Sequence, residues 1–155
     1  MTREEIQDFT ARVSQTNRSG LVVISYDMIL SYIKHAKEEL PENPDAFIWN
    51  VKQSKGVLEE LMNALDFNYP EVAGQLMSLY LFSQKQLNSS IFKRQDVNLA
   101  SVERIIERLK VAFEEVEKQD TTGPVMTNAS KLYVGLTYGK DMKSDIHETK
   151  DGFRA

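Results

Sequence analysis

The sequence predicts an all-α protein, an antiparallel up-and-down four-helix bundle with a short N-terminal helical arm and an extended C-terminal tail. Three observations carry this prediction. Four blocks of the sequence repeat apolar side chains at alternating spacings of three and four, the signature of a helical seam. Short stretches containing proline or helix-capping residues separate the blocks. No strand-like alternation of apolar and polar residues occurs before residue 131.

In chain order, residues 1–19 form the arm. Its Ile6, Phe9 and Val13 make one weak amphipathic turn, ended by the polar stretch "SQTNRSG". The first bundle helix should begin near Ser19 and align Val22, Tyr26, Ile29, Ile33, Ala36 and Leu40. "PENPD" at 41–45 then supplies Asn43 as a cap and Pro44 for the first helical position. The second seam is Phe47, Val51, Ser54, Leu58, Leu61 and Leu65, closed by "DFNYPE" at 66–71, whose Pro70 opens the third helix. That third helix is patterned more loosely, with Val72, Leu76, Leu79 or Tyr80, Leu87 and Ile91. After "KRQDVN" at 93–98, where Asp96 or Asn98 can cap, the fourth seam runs through Val102, Ile106, Leu109, Phe113 and Val116. Connections this short favour antiparallel neighbours. The expected organisation is therefore an arm over 1–19, a bundle over 20–120 and a tail over 121–155. The tail opens with "TTGP" and is read as mobile, apart from one apolar island, "KLYVGLTYG", that could dock.

Composition narrows the function classes. A chain of 155 residues with 41% apolar and 27% charged side chains is sized for one globular domain. A net charge of −4, with lysines and arginines interspersed among acids, argues against nucleic acid as a partner. With no cysteine, disulfides, thiol catalysis and thiolate metal sites are excluded. The N-terminal "MTREEIQDF" does not read as a secretory signal. The apolar run "LVVISYDMILSYI" is shorter than the roughly 18 residues of a membrane span. A cytoplasmic protein with no membrane insertion is expected.

Catalytic and metal chemistry find little support. A bundle can hold a di-iron centre, but only with inward carboxylates and Glu-x-x-His pairs. Neither His35 nor His147 has a glutamate three residues earlier, so no metal site and no cofactor is expected. Phosphate-binding glycine loops, nucleophile elbows and HExxH are all missing from the sequence. One enzymatic alternative remains, a histidine phosphotransfer bundle using His35. In "KHAKEEL", however, Glu38 and Glu39 lie on the adjacent turn and would repel a phosphoryl group. Trp49 reads as a structural tryptophan. Met28, Met62, Met77, Met126 and Met142 read as core filler or as an adaptable binding surface.

The first bundle helix poses the functional question. Besides its seam it carries Leu21, Ile24, Met28 and Leu30 on other faces, more than three sister helices need to cover. The arm, the tail or a partner must seal the excess. An unfolded amphipathic segment would fit such a surface by helix-in-groove recognition. Burying about 1,000 Å² of apolar area would give on the order of 25 kcal/mol gross. Ordering the segment offsets most of that, leaving tight but reversible binding.

These stretches resemble a known family. "SGLVVISYDMILSYI", with its Tyr26-Asp27 pair, is similar to the first-helix signature of the FliS-type flagellin export chaperones. "GVLEELMNALDF", "YPEVAGQLMSLYLFSQKQLNSS" and "DVNLASVERIIERLKVAFEEV" resemble the family's next three landmarks, in order and over about residues 17–119. The usual tyrosine-rich N-terminal stretch is replaced by "IQDFTARV", the turn before the first helix reads "NRSG", and the tail after Gln119 is longer than usual.

The resemblance implies a non-enzymatic chaperone of flagellar type III export. Its client would be the disordered C-terminal region of flagellin, which it would keep from polymerising prematurely. A further partner would be the cytoplasmic domain of the export gate. Expected client-binding residues are Leu21, Ile24, Met28, Met62, Met77 and Leu81, because they lie off the seams of the first three bundle helices. Ile6, Phe9 and Val13 form a possible lid over the client site. The remaining alternative is a helical adaptor for a different client.

Overall fold

A computed structural model describes residues 1–121 and Gly123. Every regular element among these residues is a helix: α1 (Arg3–Gln15), α2 (Arg18–Glu39), α3 (Pro44–Asn63), α4 (Pro70–Lys93) and α5 (Leu99–Gln119). The four expected bundle helices appear as α2 to α5. The island "KLYVGLTYG", Met126, Met142 and His147 lie outside the described residues.

The arm is more than the single turn that its three apolar residues suggested. Thr2 and Glu5 form a reciprocal capping box: the Glu5 amide donates to Thr2 Oγ1 at 3.2 Å, and the Thr2 amide donates to Glu5 Oε2 at 2.7 Å. That arrangement satisfies two of the amides a helix start leaves open, and α1 runs 13 residues. Phe9 and Val13, one turn apart, are buried, and the Arg12 guanidinium lies over the Phe9 ring at 5.6 Å.

The other helix starts follow local chemistry. Asn17 Oδ1 accepts the Gly20 amide at 2.8 Å to open α2, and Asn43 Oδ1 accepts the Ala46 amide at 3.1 Å to open α3. Pro44 and Pro70 occupy first positions, where the missing N–H loses no hydrogen bond. Asn98, one of the two expected caps, stands immediately before α5, and its side-chain amide donates to Gln86 Oε1 at 2.8 Å on α4.

The described residues divide into two compact units, one of 1–24 with 113–121 and 123, the other of 25–112. Within the first unit, Ser19 Oγ donates to Asp120 Oδ2 at 2.7 Å and ties the start of α2 to the end of α5. Gly20 permits this approach, since a Cβ there would stand 2.0 Å from Thr16 Oγ1 and 2.7 Å from Glu117 Oε1.

The second unit is the four-helix core. Asp27 pairs with Lys110 at 2.6 Å and Lys37 pairs with Glu103, so ascending residues of α2 meet descending residues of α5 and the two run antiparallel. Tyr32 on α2 meets Trp49 on α3 edge-on at 6.2 Å between centroids. Tyr26 on α2 shares a 2.6 Å hydrogen bond with Tyr80 on α4. Segment α2 thus touches all three other helices of the unit. Its seam residues Tyr26, Ile29, Ile33 and Ala36 are fully buried, as are Phe47, Val51, Ser54 and Leu58 of α3 and Val102 and Ile106 of α5.

Helix α4 buries Tyr80 and Leu87 of its expected seam and departs from it at Val72. Its buried residues are Ala73, Tyr80, Ser83, Leu87 and Ser90, whereas Val72 and Leu79 are exposed. Of the two adjacent alternatives the stripe takes Tyr80, whose hydroxyl shares a hydrogen bond with Tyr26, and leaves Leu79 outside. Small serines then fill the positions that follow Tyr80 at helical spacing.

Candidate client-binding surface

The apolar surface left open by this fold is concentrated on α4 and the loop that precedes it. Seven of the 12 large apolar residues exposed among those described fall within residues 67–92, including Leu81, Phe82 and Phe92. A helix can turn only one face to its bundle, and the consecutive Leu81 and Phe82 cannot both lie on the stripe that Tyr80, Ser83 and Leu87 define. The outward residues follow from the inward ones.

Three of the expected client residues converge here. Gln84 Nε2 on α4 approaches Glu59 Oε1 on α3 at 3.4 Å, which places the two side chains opposite each other. Met62 lies three residues after Glu59 and Leu81 three residues before Gln84, so the antiparallel α3/α4 pair carries both along one seam. Met77 follows one turn further along α4. Leu81 is 50% exposed, and Met62 and Met77 are partly buried. The seam therefore carries one open and two half-buried apolar side chains beside the polar Glu59–Gln84 contact.

The other three stand apart from it. Leu21, Ile24 and Met28 are only 8%, 4% and 3% exposed, so the excess apolar surface expected on the first bundle helix is already covered. A helix that is apolar all round takes a central position, and α2 does so. Leu21 and Ile24 belong to the same compact unit as α1, and Met28 belongs to the core unit. Of the possible lid residues, Phe9 and Val13 are buried and Ile6 is 42% exposed.

The Tyr26-Asp27 pair has a structural use on each side. The Tyr26 and Tyr80 rings lie 6.5 Å apart with their hydroxyls hydrogen-bonded in the core. Burial pushes the Tyr80 hydroxyl up to about 12, against a smaller lowering from its bond with Tyr26. Burial also pushes Tyr26 up, reinforced by the charge that Tyr80 would carry and by their hydrogen bond. Asp27 forms the partly shielded ion pair with Lys110 that joins α2 to α5.

The phosphotransfer reading finds no help in the geometry. His35 is mostly shielded, and its Nδ1 stands 3.3 Å from Glu38 Oε2, so a carboxylate lies directly beside the imidazole. Among the described residues no cluster of histidines and carboxylates could hold a metal ion, and no helix is long and apolar enough to cross a membrane. A shallow depression of about 340 Å³ is lined by Arg104, Glu107, Arg108 and Val111, all on one face of α5. Nothing deep enough for a small substrate is formed there.

Sequence reasoning missed Phe67, Tyr69, Val72, Phe82 and Phe92 as open apolar positions. The available signal was the 73–80–87 spacing on α4, which fixes the inward face and leaves its larger neighbours outside. Comparison with known proteins gives one result: the model of a family described as flagellar protein FliS matches residues 2–120. No curated protein and no solved structure matches the chain.

Proposed function

The chain belongs to the FliS family of flagellar proteins, a family of chaperones, and on that premise we propose that it works in the cytoplasm on the disordered C-terminal segment of flagellin. By occupying that segment it prevents premature polymerisation, and it hands the client to the cytoplasmic domain of the export gate. The family match over residues 2–120 carries this reading. The open apolar side chains along the α3/α4 seam and on α4 support it, since an amphipathic client helix needs an apolar face to pack on.

The client enters along the α3/α4 seam over Met62, Met77 and Leu81. Leu21, Ile24 and Met28 join only when the packing over them opens. Helix α1 is the movable cover for Leu21 and Ile24 within its own unit. Its anchors are two side chains, Phe9 and Val13, whose burial is worth about 1.5–3 kcal/mol each. A client that buries more apolar area than these two can displace them.

Copurification and titration with a flagellin C-terminal peptide of about 40 residues test the reading. The full chain should retain the peptide, and Leu81→Asp with Met77→Asp should weaken it by roughly tenfold or more, equivalent to about 1.4 kcal/mol. Retention at full strength by this double variant would remove the seam from the proposal. Phe9→Ser should tighten binding by reducing the fraction of closed protein. Equal affinities for Phe9→Ser and the parent would reject the lid.

A further inference from the structure

One stripe of α4 lies beside the α3/α4 seam and has a pattern of its own. Glu71, Gly74, Ser78, Phe82 and Lys85 recur at spacings of three and four and share the outward face. Phe82 is 45% exposed, and a Cβ built on Gly74 would meet nothing within 4 Å, so a protruding ring and an open notch lie two turns apart. Ser78, midway between them, is exposed and keeps its hydroxyl on its own helix, donating to the Gly74 carbonyl at 3.0 Å. Glu71 at one end and Lys85 at the other are exposed, and neither forms an ion pair with a described residue.

The stripe is complementary to itself when reversed. With a two-fold axis at Ser78, residue 71 faces 85 of the second copy, 74 faces 82, and 78 faces 78. Each Phe82 then enters the notch over the other copy's Gly74, and Glu71 pairs with Lys85 twice. Small residues at 74 and 78 let the helix axes approach toward the short end of the 8–10 Å range of helix packing. In a parallel pairing Glu71 would face Glu71 and Lys85 would face Lys85, so the charges select the antiparallel arrangement.

We propose that this face of α4 is an isologous docking surface for a second copy of the chain, centred on Ser78. The contact covers about four turns of one helix, less than the roughly 800 Å² per partner of a standard stable interface. The dimer is accordingly weak and reversible, and salt weakens it further by screening two exposed ion pairs. The surface does not depend on the identity of the client: failure to bind flagellin would leave it standing.

Charge reversal tests both the surface and its direction. In sedimentation equilibrium the full chain should associate reversibly, and Glu71→Lys or Lys85→Glu alone should each raise the dissociation constant about tenfold, because two attractions become two repulsions. The double variant Glu71→Lys with Lys85→Glu should restore it. An equimolar mixture of the two single variants should form mixed dimers, in which opposite charges face each other again at both ends; the register is read from the single variants, since in a parallel pairing like charges already face each other in the parent and one reversal would not weaken it. Gly74→Leu fills the notch at an exposed helical position, where leaving glycine favours the helix, and should abolish association without loss of fold. Since the chain has no cysteine, Ser78→Cys introduces a single thiol on the axis and should form a disulfide dimer faster than Lys52→Cys on α3. A chain that stays monomeric at every concentration overturns the proposal. So does association that ignores the charge reversals, or mixed variants that do not pair.

Discussion

Helices α2 and α4 are comparably rich in apolar side chains, but α2 buries nearly all of them while α4 turns several outward. The difference lies in the neighbours. Within the core unit α2 meets α3 through Tyr32 and Trp49, α4 through Tyr26 and Tyr80, and α5 through two ion pairs, so it is enclosed on three sides. On α4 the inward stripe includes an alanine and two serines, and larger residues such as Leu81, Phe82 and Phe92 remain on its flanks and back. Apolar content alone thus does not locate a binding surface. What the bundle leaves open depends on the neighbours, and in this chain more large apolar residues stay exposed on the third bundle helix than on the first.

The sharpest way to break the comparison is to truncate one residue from each helix. Ile33 of α2 is fully buried, and Ile33→Ala removes three carbons from a packed site, so it should cost about 3–4 kcal/mol and lower the denaturation midpoint markedly. Phe92 of α4 is 89% exposed, and Phe92→Ser should change stability by less than about 0.5 kcal/mol although the side chain is larger. Urea unfolding of the two variants decides it. Comparable losses would mean that α4 is covered in solution.

The tyrosine pair joins the two helices and gives the comparison a pH dependence. Tyrosine titrates near 10 in the unfolded chain, and burial pushes Tyr80 up to about 12 in the folded one. Below pH 10 both states keep the proton, so the stabilisation is fully present. Between pH 10 and about 12 the unfolded chain loses the proton first, and on the order of 2 kcal/mol of stability is lost as pH rises through that window. The raised Tyr26 acts in the same direction. The variant Tyr26→Phe with Tyr80→Phe keeps both rings and lacks both titrating hydroxyls. Its thermal midpoint should fall less steeply above pH 10 than that of the parent.

Much of the fold was legible because its punctuation is chemical. Asn43 and Pro44, and Pro70, stand where the helix starts require them, and the middles of the α2 and α3 seams and the first half of the α5 seam are buried, whereas Leu109 and Phe113 are half-buried and Val116 is exposed. Helix α1 was undercounted because only three apolar residues mark it, although Thr2 and Glu5 spell a capping box. The α4 stripe could not be settled by hydrophobicity, since Leu79 and Tyr80 are adjacent and both qualify. Only a partner can choose between them, and the Tyr26 hydroxyl chooses Tyr80. The same limit affected the candidate client residues. Leu21, Ile24 and Met28 are in excess when α2 is considered alone and are covered in the folded chain, whereas Met62, Met77 and Leu81 share a seam that Glu59 and Gln84 identify.

The smallest effect concerns the serines that make α4 a poor core helix. Ser83 and Ser90 are 0% and 1% exposed, and neither hydroxyl has a hydrogen-bond partner among the described residues. Ser54 on α3 is equally buried, but its hydroxyl donates to the Val51 carbonyl at 2.7 Å. A buried hydroxyl without a partner costs roughly 1–3 kcal/mol in lost hydration, and alanine is the better helix former. Ser83→Ala and Ser90→Ala should therefore each stabilise the protein by about 1 kcal/mol, whereas Ser54→Ala should gain less because it gives up a bond. Two turns separate residues 83 and 90, about 10 Å along the helix, so the two gains should add. Urea midpoints measured at constant slope report the result directly. A loss of stability at either position would show that its hydroxyl is satisfied in solution and that α4 is held inward by more than Tyr80 and Leu87.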